Sequence, residues 1–353
     1  MPRLAAVKRF VSNTGARIYR IACDVLPGIS GRVYLILGAG PPTLVDSGSG
    51  EGDSTRQILA GLEAVRGEFG EPFAPRQIER ILVTHAHVDH IGGLPDMVRA
   101  TGARIGVHPL DSRVVAAWDE RAVIFNRGLE AFLQRAGVPA ASQSGLIEAF
   151  GFTSRRVRGM PVGFFLDEQH PLEGLRIVHT PGHSPGHVCI LVGDVLLCGD
   201  HILARTIPQQ WPESLAPNTG LGHYLESLAK VGRLEGVTIG LGGHEPPIHA
   251  IGHRTDEIRA TQMRRLDRIL ELAGNTALPP TIAELTRHVY SRQKGFYEVL
   301  ALTDVASRVE YLELRGRLEI ANVDQIRRDG AAPYRYRPAC GLAEQAGLRG
   351  KTG

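Results

Sequence analysis

The chain has 353 residues, 43% of them hydrophobic, and a formal net charge of +3. That length suits one large or two modest domains, and the apolar fraction supplies a sizeable core, which excludes a disordered or fibrous chain. The slight positive charge makes no demand for nucleic acid or an anionic membrane, and no apolar run reaches the length needed to cross a bilayer.

The opening MPRLAAVKRF lacks the apolar centre of a signal peptide. Cys23, Cys189, Cys198 and Cys340 form no C-x-x-C pattern. Both features lead to the expectation of a cytoplasmic chain with reduced thiols.

Residues 17–25, 32–37 and 43–46 read as short strands separated by turn residues. Asp46 closes the third, and SGSGEGD follows as a loop. Residues 53–70 read as an amphipathic helix with Ile58, Leu59, Leu62 and Val65 on one side and Asp53 or Ser54 as its cap. Ile81-Leu82-Val83 then reads as a buried strand, running into THAHVDHIGG. A lone histidine is most often a core or surface residue. Here His85, His87, Asp89 and His90 fall within six residues, and buried polar groups are costly unless paired or metal-bound. In an extended chain His85 and His87 point the same way and can hold one metal. The turn that follows lets Asp89 and His90 face a second. GLPDMVRATG reads as a helix and RIGVH as a further strand.

Residues 109–170 carry helical periodicity and the rings of Trp118, Phe125, Phe132, Phe150, Phe152, Phe164 and Phe165. The expectation is a helical insertion packing on itself, with a lid over the metal site as the functional alternative. Within it Arg155, Arg156 and Arg158 read either as solvated surface or as a grip on coenzyme A phosphates.

A strand around Ile177-Val178 leads to His183 in a Pro/Gly loop. A hairpin across Gly193-Asp194 sets Val192 opposite Val195 and Cys189 opposite Cys198, which read as two buried thiols. The Pro-rich loop after Asp200 offers Trp211 and Asn218 as pocket candidates. A helix over 221–236 and a strand leading to His244 follow. From about residue 254 come a charged amphipathic helix, a Thr281–Glu284 capping box, a further helix and a short strand. Residues 331–353 lack periodicity and read as an irregular tail.

The T-H-x-H-x-D-H-x-G-G run resembles the signature of the metallo-β-lactamase superfamily. Asp46, His183, Asp200 and His244 match that family's remaining motifs in order. The resemblance implies an α/β fold, a four-layer αββα sandwich over residues 1–253 with 109–170 inserted. Residues 254–330 look like a small winged-helix domain, such as the C-terminal domain of the lactamase-β-like 2 proteins. On this basis His85, His87 and His183 bind a first metal. Asp89, His90 and His244 bind a second, Asp200 bridges, and Asp46 lies behind the ligands and orients them. The donors suit zinc, with iron or manganese as alternatives. Two such ions give a hydroxide that attacks a carbonyl, with Asp89 and Asp200 as the catalytic carboxylates. His187 reads as a structural hydrogen bonder, while His179 and His201 lie beside ligands in sequence without joining them.

The implied activity is hydrolysis of a thioester of the acyl-coenzyme A or glutathione type, similar to glyoxalase II. The alternatives are a single-strand-specific endoribonuclease of the lactamase-β-like 2 type and a lactonase. Lactonase relatives often carry a Tyr soon after the bridging Asp, where this chain has His201-Ile202-Leu203. A β-lactamase, a one-iron persulfide dioxygenase and a winged-helix sensor rank lower. The expected partner is a small acyl substrate, with no membrane. Nucleic acid is disfavoured because Glu310 and Glu313 interleave with Arg308, Arg315 and Arg317. The C-terminal region reads as a scaffold or a homodimer contact.

Overall fold

The computed structural model describes residues 7–151, 157–291 and 293–339. Its N-terminal strands β1 (Val7–Val11), β2 (Arg17–Leu26), β3 (Ile29–Leu37) and β4 (Thr43–Val45) pair antiparallel in chain order. Strands β5 (Arg80–Leu82), β6 (Arg104–Val107) and β7 (Phe164–Phe165) then add in parallel, completing a seven-stranded sheet. Parallel neighbours need crossovers. The helices α1 (Ser54–Gly67), α2 (Val88–Ile91) and α3 (Leu94–Thr101) supply the first two, and α4 (Pro109–Ala116), α5 (Trp118–Arg135) and α6 (Ala140–Gly151) lie within the third. A second sheet has the order β11-β10-β9-β8. Its strands are β8 (Arg176–His179), β9 (Val188–Val192), β10 (Val195–Gly199) and β11 (Ile239–Gly242). The β9–β10 hairpin has the anticipated register, Val192 opposite Val195.

Alternation along β2 and β3 sorts their side chains to two faces. Tyr19, Ile21, Val33 and Leu35 pack with Ile58, Leu62 and Val65 of α1. Ile18, Tyr34 and Ile36 face the second sheet and meet Ile177, Ile190, Val195 and Leu241. Behind that sheet, α7 (Gly220–Gly232) is tied down by Ser227 Oγ to the Pro181 carbonyl at 2.8 Å and Lys230 Nζ to the His179 carbonyl at 2.8 Å. The layers therefore run helix, sheet, sheet, helix.

The described residues within Met1–Arg121, Ser154–Pro208 and Tyr224–Asp256 form one compact unit, which holds both of these sheets. Those within Ala122–Thr153, Gln209–His223 and Glu257–Gly353 form another. The second unit contains most of α8 (Ile251–Gly274), with α9 (Ile282–Val289), α10 (Phe296–Leu314) and α11 (Val323–Arg328), and a two-stranded pair of β12 (Leu318–Ile320) and β13 (Tyr336–Pro338). The expected capping box starts α9: Glu284 N donates to Thr281 Oγ1 at 3.2 Å, and Thr281 N donates to Glu284 Oε2 at 2.8 Å. No helix among the described residues is long and apolar enough to cross a membrane.

Four expectations need correcting. Strand β1 is additional to the expected elements; its Lys8-Arg9 pair masks the alternation, as charge often does on an edge strand. The tail expected to be irregular carries β13, whose Tyr336 is buried. Asp53 stands at the α1 cap position, but its side chain makes no cap bond and pairs with Arg56 at 2.6 Å. The 109–170 stretch does not pack only on itself. Its β7 joins the main sheet, and its α6 packs with α10 in the second unit.

Candidate metal centre

Every ligand-type residue sits where a strand of the first unit ends. Beyond β4, Asp46 takes a left-handed backbone with φ 63, a conformation uncommon outside glycine. It is fixed by its amide, which donates to the Leu82 carbonyl at 2.9 Å. Its carboxylate accepts from Thr84 N at 2.8 Å, from Thr84 Oγ1 at 2.9 Å and from His90 Nδ1 at 2.8 Å. Ser47 donates from both N and Oγ to the His90 carbonyl, at 2.9 and 2.7 Å. The loop after β4 and the loop after β5 are thereby tied together. Gly92 and Gly93 permit this approach, since a Cβ at either would lie 2.0 Å from the carbonyl oxygen of Ser49 or Ser47 respectively. This explains the paired glycines of the motif.

Three overlapping groups result: His85, His87 and His183; His85, His90 and Asp200; and Asp89, His90 and His244. In each, the ligand atoms lie within 4.8 Å of one another. His85 Nε2 and His87 Nδ1 are 3.0 Å apart, near the roughly 3.3 Å expected of two nitrogens on one tetrahedral zinc. Asp200 Oδ2 stands 3.0 Å from His244 Nε2, 3.6 Å from His90 Nε2 and 3.9 Å from His183 Nε2. It is thus within reach of both triads.

The donor chemistry fits divalent ions. His90 Nε2 and Asp200 Oδ1 are buried without a hydrogen-bond partner among the described residues, a cost of about 1–3 kcal/mol each that a cation removes. His90 gives its other nitrogen to Asp46, and His244 donates Nδ1–H to the Ser30 carbonyl at 3.1 Å. Each bond leaves Nε2 free to ligate. Thr84 Oγ1 spends its proton on Asp46 and accepts from His85 Nδ1 at 3.1 Å, which fixes that tautomer too.

Burial and the neighbouring imidazoles hold His85 well below its ordinary value and His87 down at about 3, so both are neutral donors. In the second triad burial opposes charge, but His244 and His90 win and keep Asp200 well below the carboxylate range. Asp89 is likewise lowered against burial, by His90 and then His244. Against the same burial, Asp200 pushes His244 up to about 10.

Two residues outside the expected ligand set hold the centre. Asp111, 1% exposed, accepts from Ala86 N at 3.0 Å, Gly186 N at 2.8 Å and Ser184 Oγ at 3.0 Å. One carboxylate thus fastens the His85–His87 loop to the His183 loop. No sequence pattern marks it. His187 Nε2 accepts from Asp200 N at 3.1 Å, and its Nδ1 donates to Thr180 Oγ1 at 2.8 Å, so it orients the shared carboxylate. His201 is fully buried, its ring 5.2 Å from that of Tyr224. His179 stacks on His108 at 3.9 Å. Neither belongs to a triad.

The substrate-contact candidates are divided between the two units. Trp211 belongs to the second unit, edge-on to Phe125 at 5.1 Å and Phe150 at 5.5 Å. Asn218 lies in the same unit with φ 63. Arg158 is exposed in the first unit, while Phe152, Arg155 and Arg156 lie outside the described residues.

Residues 26–244 match the family profile described as the metallo-beta-lactamase superfamily, over more than half of the chain. The chain belongs to that superfamily. It is a family of metal-dependent hydrolases that typically bind two divalent ions. The chain is 24% identical over 297 residues to the probable metallo-hydrolase YqjP of Bacillus subtilis, covering 80% of this chain and 87% of that one. It is 28% identical over 292 residues to the atrochrysone carboxyl ACP thioesterase of Aspergillus fumigatus, covering 76% and 73%. Among solved structures, the metallo-beta-lactamase family protein TTHA1429 of Thermus thermophilus superimposes with a TM-score of 0.69 at 26% identity, covering 91% and 98%.

Proposed function

We propose that this metallo-β-lactamase superfamily hydrolase is a dinuclear, zinc-dependent thioesterase acting on an acyl thioester of coenzyme A or of a glutathione-type thiol. His85, His87 and His183 hold one ion, Asp89, His90 and His244 hold the other, and Asp200 is shared. When bound, the ions supply a water of lowered pKa and a Lewis acid for the carbonyl. Asp89 is partly exposed and 3.3 Å from His244 Nε2, so its carboxylate orients the attacking water. His187, Asp46 and Asp111 keep the ligands in place.

The observation that carries the choice of thioester is the resemblance to the ACP thioesterase over most of both chains. The electrostatics agree with it. Asp89 and Asp200 are both held ionised, so neither stands ready to protonate a poor leaving group. A thiol of pKa about 8.5 leaves as thiolate without such help, whereas an alkoxide does not.

The test is thiol release by zinc-loaded protein from a panel of acyl-coenzyme A and acyl-glutathione thioesters, with Asp200→Ala as control. Turnover that vanishes in the control supports the reading. No turnover above the control across the panel overturns it and directs attention to single-stranded RNA and lactones.

A further inference from the structure

The two faces of the β1–β3 meander treat their cations differently. On the face toward α1, Arg17 is neutralised by Glu71 at 2.5 Å. On the face toward the second sheet, register sets Lys8 opposite Arg20, and Arg32 sits opposite Ala22, diagonal to Arg20. Lys8 Nζ and the Arg20 guanidinium both lie over the Phe10 ring, at 5.4 and 5.9 Å. Like charges placed directly across a strand pair are destabilising. No carboxylate among the described residues forms an ion pair with any of the three, and Nε of both arginines is buried without a hydrogen-bond partner. Three cations are thus gathered on one face with no ion-paired carboxylate, Asp24 acting on Arg32 only as a weaker, more distant charge.

The position of the group gives that anion a role. Arg32 Nη1 donates to Ser30 Oγ at 2.6 Å and to the Gly31 carbonyl at 2.8 Å, which folds the guanidinium back toward Ser30. The Ser30 carbonyl is the one that accepts from the metal-site His244. Two residues beyond Arg32, about 7 Å along the strand, Tyr34 donates its hydroxyl to the Gly242 carbonyl at 2.6 Å. Arg32 therefore lies on the strand between two contacts to the Gly242–His244 segment, beside the second triad.

We propose that Lys8, Arg20 and Arg32 form an oxyanion-binding subsite beside the metal centre, taking the anionic group of the thiol carrier, a phosphate or a carboxylate. The planar guanidinium forks suit either group, since both offer paired oxygens. This rests on the thioester reading for the identity of the carrier, but not for the existence of the anion site.

The test is calorimetric titration of the metal-loaded full chain with three thiols. Coenzyme A carries phosphates, glutathione carries carboxylates, and pantetheine carries neither, so any thiol–metal contribution is common to all three. At least one charged thiol is expected to bind roughly tenfold or more tightly than pantetheine, a preference that an Arg20→Gln/Arg32→Gln variant loses and that added salt weakens. Preference for coenzyme A identifies phosphate; preference for glutathione identifies carboxylate. Arg32→Lys keeps the charge and is expected to retain part of the preference, with metal content and circular dichroism showing that the fold is kept. Equal binding of all three thiols, or a preference untouched in the double variant, overturns the proposal. A preference that is lost in the double variant, with no thioester turnover in the wild type, overturns the thioesterase reading alone.

Discussion

His90 donates Nδ1–H to Asp46 at 2.8 Å, and its Nε2 on the far side of the ring is buried with no hydrogen-bond partner among the described residues. The pair is the clearest sign of a site built around cations. One nitrogen is spent on holding the ring, and the other is aimed where Asp200 and Asp89 converge.

Replacing Asp46 by Asn tests that arrangement. Asn tolerates the left-handed backbone at this position, so the fold is expected to survive. The amide presents a donor where His90 or Thr84 needs an acceptor. Metal affinity at the second triad is expected to fall roughly 10–100-fold, with the first triad much less affected. Competition against a chromophoric chelator reads the two steps separately, and unchanged affinity at both would contradict the orienting role.

Asp111 makes a different prediction. Asp111→Ala leaves two buried amides and a hydroxyl without their acceptor. Each loss costs about 1–3 kcal/mol, partly offset by relaxation, so destabilisation on the order of 3 kcal/mol is expected in urea denaturation. The same loss releases the His85–His87 loop from the His183 loop, so the first triad should lose metal before the second. Asp111→Asn keeps one acceptor and should fall between. Equal loss at both triads would mean that Asp111 acts on the fold at large and not on those loops.

Asp111 also marks what sequence can and cannot carry. His85, His87, Asp89 and His90 were legible because one tight turn must present several ligands together, and because Gly92 and Gly93 are required for the loop to close on Ser47 and Ser49. The strands β2 to β4 were legible from alternation. Asp111 was not, because its work is to accept from backbone amides of loops 25 and 75 residues away, and an amide has no sequence signature. Arg20 and Arg32 stay hidden for a related reason. Two arginines on neighbouring strands read as ordinary surface until the register puts them on one face without an ion-paired carboxylate. The second unit was hidden by its assembly from described residues of three separated stretches, 122–151, 209–223 and 257–339.

Glu71 contributes to the acid side of the stability curve. Burial alone would raise its pKa, but Arg17 and then Tyr19 hold it below the ordinary 4.5. Its carboxylate accepts from Arg17 Nε and from Tyr19 Oη, each at 2.5 Å. A depressed native pKa means stability that is fully present above the unfolded value and is lost as pH falls through the native one. Glu71→Gln is therefore expected to lower stability at about pH 7 and to flatten its decline toward about pH 4. Urea midpoints for both proteins across that range check the sign. A parallel decline in the two would show that other carboxylates set the acid limit.

The thiols give the last prediction. Cys23, Cys189 and Cys198 are free and buried. Burial pushes Cys23 up to about 11 and Cys189 up to about 12, and it raises Cys198 further from reactivity. Thiolate is the reacting species, so none of the three should react with a thiol reagent in the native state, and all three should react at once on unfolding. The count is made in a Cys340→Ser variant, because Cys340 lies outside the described residues. The register that sets Val192 against Val195 also brings Cys189 Sγ to the carbonyl of Cys198, at 3.6 Å, so the two residues are neighbours across the hairpin and the count is informative. Three thiols titrated without reductant would fit the free pair. One thiol would mean that the hairpin closes as a disulfide, and that the strand leading into Asp200 is covalently fixed to its neighbour.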